Sequence, residues 1–185
     1  MIPALILAAG SGRRMGGPKA LLTLSGETLL ERTVRVATEA GCDPVLAVVG
    51  AWDCGVSPHQ VILVRNMEAA QGMASSIRAG VDALPELADS VLILAVDQPA
   101  VDAALLKQLL QVHAKQETAH PIACAYGGSL GIPAILPARL FPELLSLQGD
   151  RGAKAILLRE NATTVPFPKG AWDLDTPEDL ARLTR

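Results

Sequence analysis

Apolar positions along this chain follow two rhythms. Short runs that are apolar almost throughout recur at Ala4–Ala9, Pro44–Val49, Val61–Val64, Val91–Val96, Pro121–Ala125 and Thr163–Val165. They have the length and the Val, Ile and Leu content of strands buried on both faces. Elsewhere apolar residues return at three- and four-residue intervals, over Thr28–Ala40, Met73–Leu84, Ala103–Lys115, a short Leu140–Leu145, Arg151–Arg159 and Pro177–Leu183. That spacing predicts helices with one buried face. Gly41 stands where the first helix should stop, and Thr176 with Pro177 reads as the cap and first-turn proline of the last. Strand and helix in alternation predict a mostly parallel sheet covered by helices on both faces. At 185 residues, one well-buried α/β domain spanning 1–185 is expected.

In an open sheet of this kind, ligands lie beyond the carboxyl ends of the strands, so the segments that follow each strand carry the chemistry. The first is Leu7-Ala8-Ala9-Gly10-Ser11-Gly12-Arg13-Arg14-Met15-Gly16-Gly17-Pro18-Lys19. Its glycines free main-chain N–H groups to face phosphate oxygens, and Arg13, Arg14 and Lys19 add charge and forked donors, a cradle for a triphosphate. On glycine spacing alone it is equally a surface turn with solvated basic residues; three cations inside one such loop favour the cradle. No GxxxxGK[ST] is present, and Gly10, Gly12 and Gly16 miss the GxGxxG dinucleotide spacing by one residue. No acidic residue ends the second strand ready for a ribose, so hydride transfer is disfavoured.

Asp97 ends the fourth apolar run, followed by Gln98 and Pro99. A carboxylate at a strand end beside a phosphate site suits Mg2+, which takes one or two carboxylates together with phosphate oxygens and waters. Alone, Asp97 is as readily a turn or helix-capping residue. Near the C-terminus, alternation places Asp173 and Asp175 on one face of a short strand. Asp175 is the candidate second metal ligand, with Asp173 below it, although Asp-Thr-Pro-Glu is also an ordinary helix start.

Bulk properties narrow the classes. A net charge of −3 with 3% aromatic residues gives a nucleic-acid surface neither a basic face nor stacking platforms, so no nucleic-acid partner is expected. Half the residues are apolar, yet the longest apolar runs fall far short of the roughly 18 residues a membrane span needs. The first of them enters a glycine turn rather than a cleavage site, and a cytoplasmic protein with no membrane contact is the expectation. Cys42, Cys54 and Cys124 are widely spaced, with no CxxC pair and no histidine at ligand spacing, which suggests neither a disulfide framework nor a zinc site. His59, His113 and His120 lack a nucleophile or base partner pattern, and Trp52 and Trp172 read as partial core.

Taken in order, LAAGxGxRMGxxK at Leu7–Lys19, the strand-end DQP at Asp97–Pro99 and DxDTPEDL at Asp173–Leu180 resemble the nucleotidyltransferases of molybdenum cofactor biosynthesis. The likeness covers essentially the whole chain and includes Gly149-Asp150-Arg151-Gly152, a segment that resembles the cytidylyl-transferring members. It implies a three-layer α/β/α, Rossmann-like nucleotidyltransferase fold, with the triphosphate on Leu7, Ala8, Ala9, Gly10 and Gly12. Arg14 and Lys19 match phosphate-binding positions, Asp97 the magnesium aspartate and Asp175 a second metal position. In relatives the segment from Asn66, with Gly72, Ser75 and Ser76, approaches the nucleotide; the plainer reading is a helix start with serines in its first turns. LAAG in place of LAGG resembles the CTP-using members, implying CMP transfer from CTP to a molybdopterin-type acceptor and a molybdenum hydroxylase as a client. Gly131-Ile132-Pro133 departs from the family by placing isoleucine where a polar residue is usual. Transfer to a sugar phosphate or another small phosphorylated metabolite, and a non-catalytic cofactor-delivery protein, are the alternatives.

Overall fold

The computed structural model describes residues 1–12, 15–55, 61–116, 120–174, 176 and 179. Nine strands and five α-helices occur among them: β1 (Ala4–Leu7), β2 (Thr23–Leu24), β3 (Glu27–Thr28), α1 (Leu29–Ala40), β4 (Val45–Val49), β5 (Ile62–Arg65), α2 (Met73–Asp82), β6 (Ser90–Ala95), α3 (Ala103–Lys115), β7 (Ile122–Tyr126), β8 (Ser129–Pro137), α4 (Phe141–Leu145), α5 (Lys154–Arg159) and β9 (Thr163–Pro166). Seven strands form one sheet in the order β5-β4-β1-β6-β8-β7-β9, and β2 pairs with β3 in a small separate ribbon. Pairing is parallel throughout the large sheet except at β8, which runs antiparallel to both β6 and β7.

The two-residue period of the strands divides the core between the faces of the sheet. Ala4, Ile6, Leu92 and Leu94 join the cluster that buries Leu30 and Val34 of α1 and Leu106 and Leu109 of α3. Leu5, Val91 and Ile93 point the other way, to Ile77 of α2, Leu144 of α4 and Leu157 of α5. Helices therefore cover both faces, as the alternating pattern predicts. Each fully buried aliphatic side chain contributes about 1.5–3 kcal/mol relative to exposure.

Local signals set the helix ends. Thr28 Oγ1 accepts from Glu31 N at 3.1 Å and the Glu31 carboxylate accepts from Thr28 N at 2.7 Å, a reciprocal cap that starts α1. Gly41, at φ 94°, ends it. Asp102 Oδ1 accepts from Leu105 N at 2.8 Å and so caps α3.

The sequence pattern differs from the structure most at Gly127–Pro133, expected as a loop but folded as a hairpin turn and the first half of β8. Gly127 and Gly128 form a two-residue hairpin turn with φ values of 56° and 70°, the combination that joins antiparallel strands most readily. Pro133 and Gly131 hide the strand, because a proline argues against a central position. It is accommodated by a register shift: Cys124 faces Gly131 while the neighbouring Ala123 faces Ala134. The predicted helix at Arg151–Arg159 begins later, at Lys154. The predicted helix at Pro177–Leu183 lies almost wholly outside the described residues.

Candidate functional site

The carboxyl ends of β1, β6 and β7, the start of β8 and the turn before α5 surround a cleft of about 880 Å³. Leu7, Ala8, Ala9, Gly10 and Gly12 form one wall. The sheet fixes how this wall begins: Ala8 N donates to Val48 O at 2.9 Å and Val96 N to Leu7 O at 3.3 Å. The loop then closes on itself, with Met15 N donating to Gly12 O at 2.7 Å. Gly12 has a φ of 56° and its absent side chain would run into the Gly17 carbonyl, so only glycine fits there. Gly10 differs. Among the described residues a methyl group on it would meet no atom within 4 Å, so none of them requires a glycine at that position.

Lys19 leaves this loop to place its Nζ 3.1 Å from Asp97 Oδ2. Their side chains are 19% and 30% exposed, covered enough to raise the field between them and open enough to exchange partners with a ligand. Asp102 already supplies the cap of α3, and the Asp97 carboxylate takes no backbone N–H among the described residues. The capping alternative for Asp97 is thus occupied by its neighbour. Leu174 N donates to Asp97 O at 2.8 Å, and this bond ties the C-terminal segment to the strand end and brings Asp173 to the cleft. Arg13, Arg14 and Asp175 lie outside the described residues.

Asn66, Ser75 and Ser76 form a buried cluster behind a second wall. Asn66 Nδ2 donates to Ser75 Oγ at 2.9 Å and Ser76 Oγ at 3.1 Å, while Ser75 Oγ donates to Gly72 O at 2.8 Å. Gly72 and Ser76 border the cleft; Asn66 and Ser75 do not. Their hydrogen bonds brace the turn that carries Gly72, in keeping with the plainer reading of this segment.

Several lining residues are given no role by the sequence: Tyr126 and Lys154 are not singled out, and Gln98 and Asp150 stand only as members of motifs. Tyr126, the chain's one tyrosine, donates from its hydroxyl to Ile132 O at 2.9 Å and packs edge-on against Phe167 with ring centroids 6.2 Å apart. A methyl on Gly131 would lie 2.5 Å from that hydroxyl and one on Gly170 2.5 Å from the ring, so both glycines make room for the tyrosine. Burial pushes the Tyr126 phenol above its ordinary pKa, and the charges of Asp173 and Asp97 add to the shift. Gln98, 6% exposed, donates to Tyr126 Oη at 3.4 Å and Gly170 O at 3.3 Å. Its Oε1 is buried without a donor among the described residues. Asp150 and Lys154 complete the far wall. A strand-end tyrosine and a glycine pair were the available sequence signals for this side; the distant partners were not.

The MobA-like NTP transferase domain matches residues 4–164, most of the strands and both walls of the cleft. This chain belongs to that family. A molybdenum cofactor guanylyltransferase of Rhodobacter capsulatus is 32% identical over 98% of this chain and 94% of its own length. A protein of Paenarthrobacter nicotinovorans named nicotine blue oxidoreductase is also 32% identical, over 98% of this chain and 96% of its own. The crystal structure of Rv0371c from Mycobacterium tuberculosis superposes with a TM-score of 0.84 at 27% identity, covering 99% of this chain and 97% of the other. The same Mycobacterium protein in complex with manganese superposes with a TM-score of 0.76 at 25% identity, with the same coverage. As expected of an NTP transferase, the strand ends bring a glycine-rich loop, a lysine and a carboxylate to one cleft. Among the described residues no helix is long and apolar enough to cross a membrane.

Proposed function

We propose that this NTP transferase is a cytoplasmic, magnesium-dependent enzyme that moves CMP from CTP to the terminal phosphate of a molybdopterin-type cofactor. The observation that carries the reading is the Lys19–Asp97 pair, 3.1 Å apart where the glycine loop opens to the cleft. A phosphate oxygen of the acceptor attacks the α-phosphorus in line. A new P–O bond forms, the bond from that phosphorus to the oxygen bridging it to the β-phosphate breaks, and pyrophosphate leaves with the electron pair. Lys19, with Arg14 beyond the described residues, meets the charge that builds on the departing phosphates, so catalysis is positioning and electrostatics without a covalent enzyme intermediate.

The carboxylates fit a magnesium ion. Asp97 and Asp173 supply hard oxygen donors to the cleft, the ligand type that suits a cation that also keeps waters and phosphate oxygens. Asp97, with Asp173 or Asp175, would hold it, and the metal would supply charge neutralisation at the phosphates. The manganese complex of the Mycobacterium relative supports a divalent cation in this fold.

The Rhodobacter relative is named for guanylyl transfer, so the nucleotide is the finer part of the proposal. Ala9 is 5% exposed and borders the cleft, and its methyl narrows the space for a base, which favours the smaller pyrimidine. The name of the Paenarthrobacter relative raises hydride transfer as a second reading; the lysine–carboxylate pair and the glycine spacing favour nucleotidyl transfer. Incubation with magnesium, molybdenum-loaded molybdopterin and CTP or GTP, followed by mass analysis of the pterin, separates these outcomes. A cytidylyl adduct is expected. A guanylyl adduct would overturn the CTP assignment, and intact cofactor with both nucleotides would favour a delivery protein. A nucleotidyl adduct on sugar phosphates but not on the pterin would move the acceptor.

A further inference from the structure

The cleft must hold two anionic substrates, and the glycine loop accounts for one. Two cationic side chains line its described part, Lys19 and Lys154. Lys19 belongs to the nucleotide wall and faces Asp97. Lys154 stands exposed on the opposite side, and among the described residues its ammonium has neither an ion pair nor a hydrogen bond.

The backbone beneath Lys154 is firmly held. Arg78 Nη1 donates to Leu147 O at 2.6 Å and Ala74 N to Gly149 O at 3.0 Å, so α2 grips residues 147–149 at two points. At Gly72 the contact is close enough to require glycine: a methyl there would lie 2.5 Å from Gly149 O and from Asp150 Oδ1, and one on Gly152 would press on Met73 Sδ at 3.0 Å. Ala153, 4% exposed, anchors the start of α5 in the core. A held backbone that carries an ammonium with no partner among the described residues leaves that charge available to a phosphate. Met73, Leu130 and Ile132 give the same half of the cleft apolar surface, and Asp150 adds an acceptor for ring N–H groups.

We propose that Lys154 anchors the phosphate monoester of the acceptor, in a subsite where Leu130 and Ile132 receive its ring and Asp150 its N–H donors. The inference rests on the transfer reading above. It gives a role to the isoleucine at 132: the wall contacts an apolar ring face, and recognition of the acceptor's charge falls to Lys154.

The test is equilibrium binding of molybdopterin and of its dephosphorylated form, without nucleotide, to wild type, K154M and K154R, with thermal midpoints as the check on folding. Wild type should bind the phosphorylated form about 10- to 100-fold more tightly, the worth of a charge-assisted hydrogen bond. K154M should bind both forms alike, K154R should recover part of the preference, and CTP binding should be the same in all three. A folded K154M that keeps the wild-type preference, or a wild type with no preference, would overturn the subsite. A wild type that shows the preference but forms no nucleotide adduct would overturn the transfer reading and leave the subsite standing.

Discussion

The two walls of the cleft are built differently. The wall proposed to hold the nucleotide is local: residues 7–12, Met15 and Lys19 form it, and its shape is fixed by a strand end and by a loop that bonds to itself through Gly12. The opposite wall is assembled from four separated segments, at residues 126–132, 150–154, 72–76 and 173; α2 holds the turn before the second of them through Arg78 and Ala74. A local wall keeps its chemistry through small changes elsewhere, whereas an assembled wall fails at its joints. Mutations on the two sides should therefore separate by substrate and by mode of failure.

The largest effect belongs to Asp97. Asp97→Ala should lower turnover by about 10²–10³-fold, the scale for losing one preorganised charge stabiliser, while the protein stays folded, since the carboxylate caps no backbone among the described residues and its part-exposed pair with Lys19 is worth about 1 kcal/mol or less. Near-normal turnover in a folded D97A would remove Asp97 from the mechanism. Next comes the contrast between two glycines of one loop. Gly12→Ala forces a side chain onto the Gly17 carbonyl at positive φ and should cost about 1–3 kcal/mol of stability. Gly10→Ala meets no atom of the described residues, so it should leave unfolding unchanged within about 0.5 kcal/mol and weaken CTP binding instead. Equal denaturation midpoints for the two variants would contradict the tight-turn account of Gly12.

On the assembled wall the effect is smaller and falls on the other substrate. Tyr126→Phe removes the bond to Ile132 O and should cost about 1 kcal/mol. It should raise the KM for the acceptor several-fold and leave that for CTP unchanged; a change confined to CTP would reverse the assignment of the walls. The smallest effect lies outside the cleft. Burial holds His113 below its ordinary pKa, beside the Ser90 hydroxyl at 3.3 Å. Its unfolded form takes up a proton near pH 6.5, where the folded form does not. Stability should therefore be full above that pH and decline as pH falls toward the folded pKa. Urea midpoints between pH 7.5 and 5.5 should fall less in His113→Gln than in wild type.

What the sequence reveals follows the same division. The central parallel strands β1, β4 and β6 were readable because burial on both faces makes them continuous apolar runs, and α1 because Thr28, Glu31 and Gly41 mark its ends within a few residues. Lys19 was readable because it lies in the glycine loop that follows β1, and Asp97 because it stands just past the end of β6. Lys154 and Tyr126 were not: nothing near Lys154 announces that α2 grips the preceding turn through Arg78 and Ala74, and Pro133 masks the strand whose carbonyl Tyr126 contacts. Local rules locate groups whose placement is local, and packing locates the others. Within the cluster around Asn66, the same serines that read as ligand donors are engaged by Asn66 and the Gly72 carbonyl.

The transfer account stands on pyrophosphate. Release from CTP should be measured with and without magnesium and with and without molybdenum-loaded molybdopterin, in wild type and Asp97→Ala. The account predicts release only when CTP, magnesium and the acceptor are all present, one pyrophosphate for each acceptor consumed, and near-silence in the variant. Release that is independent of acceptor and undiminished in Asp97→Ala, or no release with any nucleotide despite bound cofactor, would contradict it.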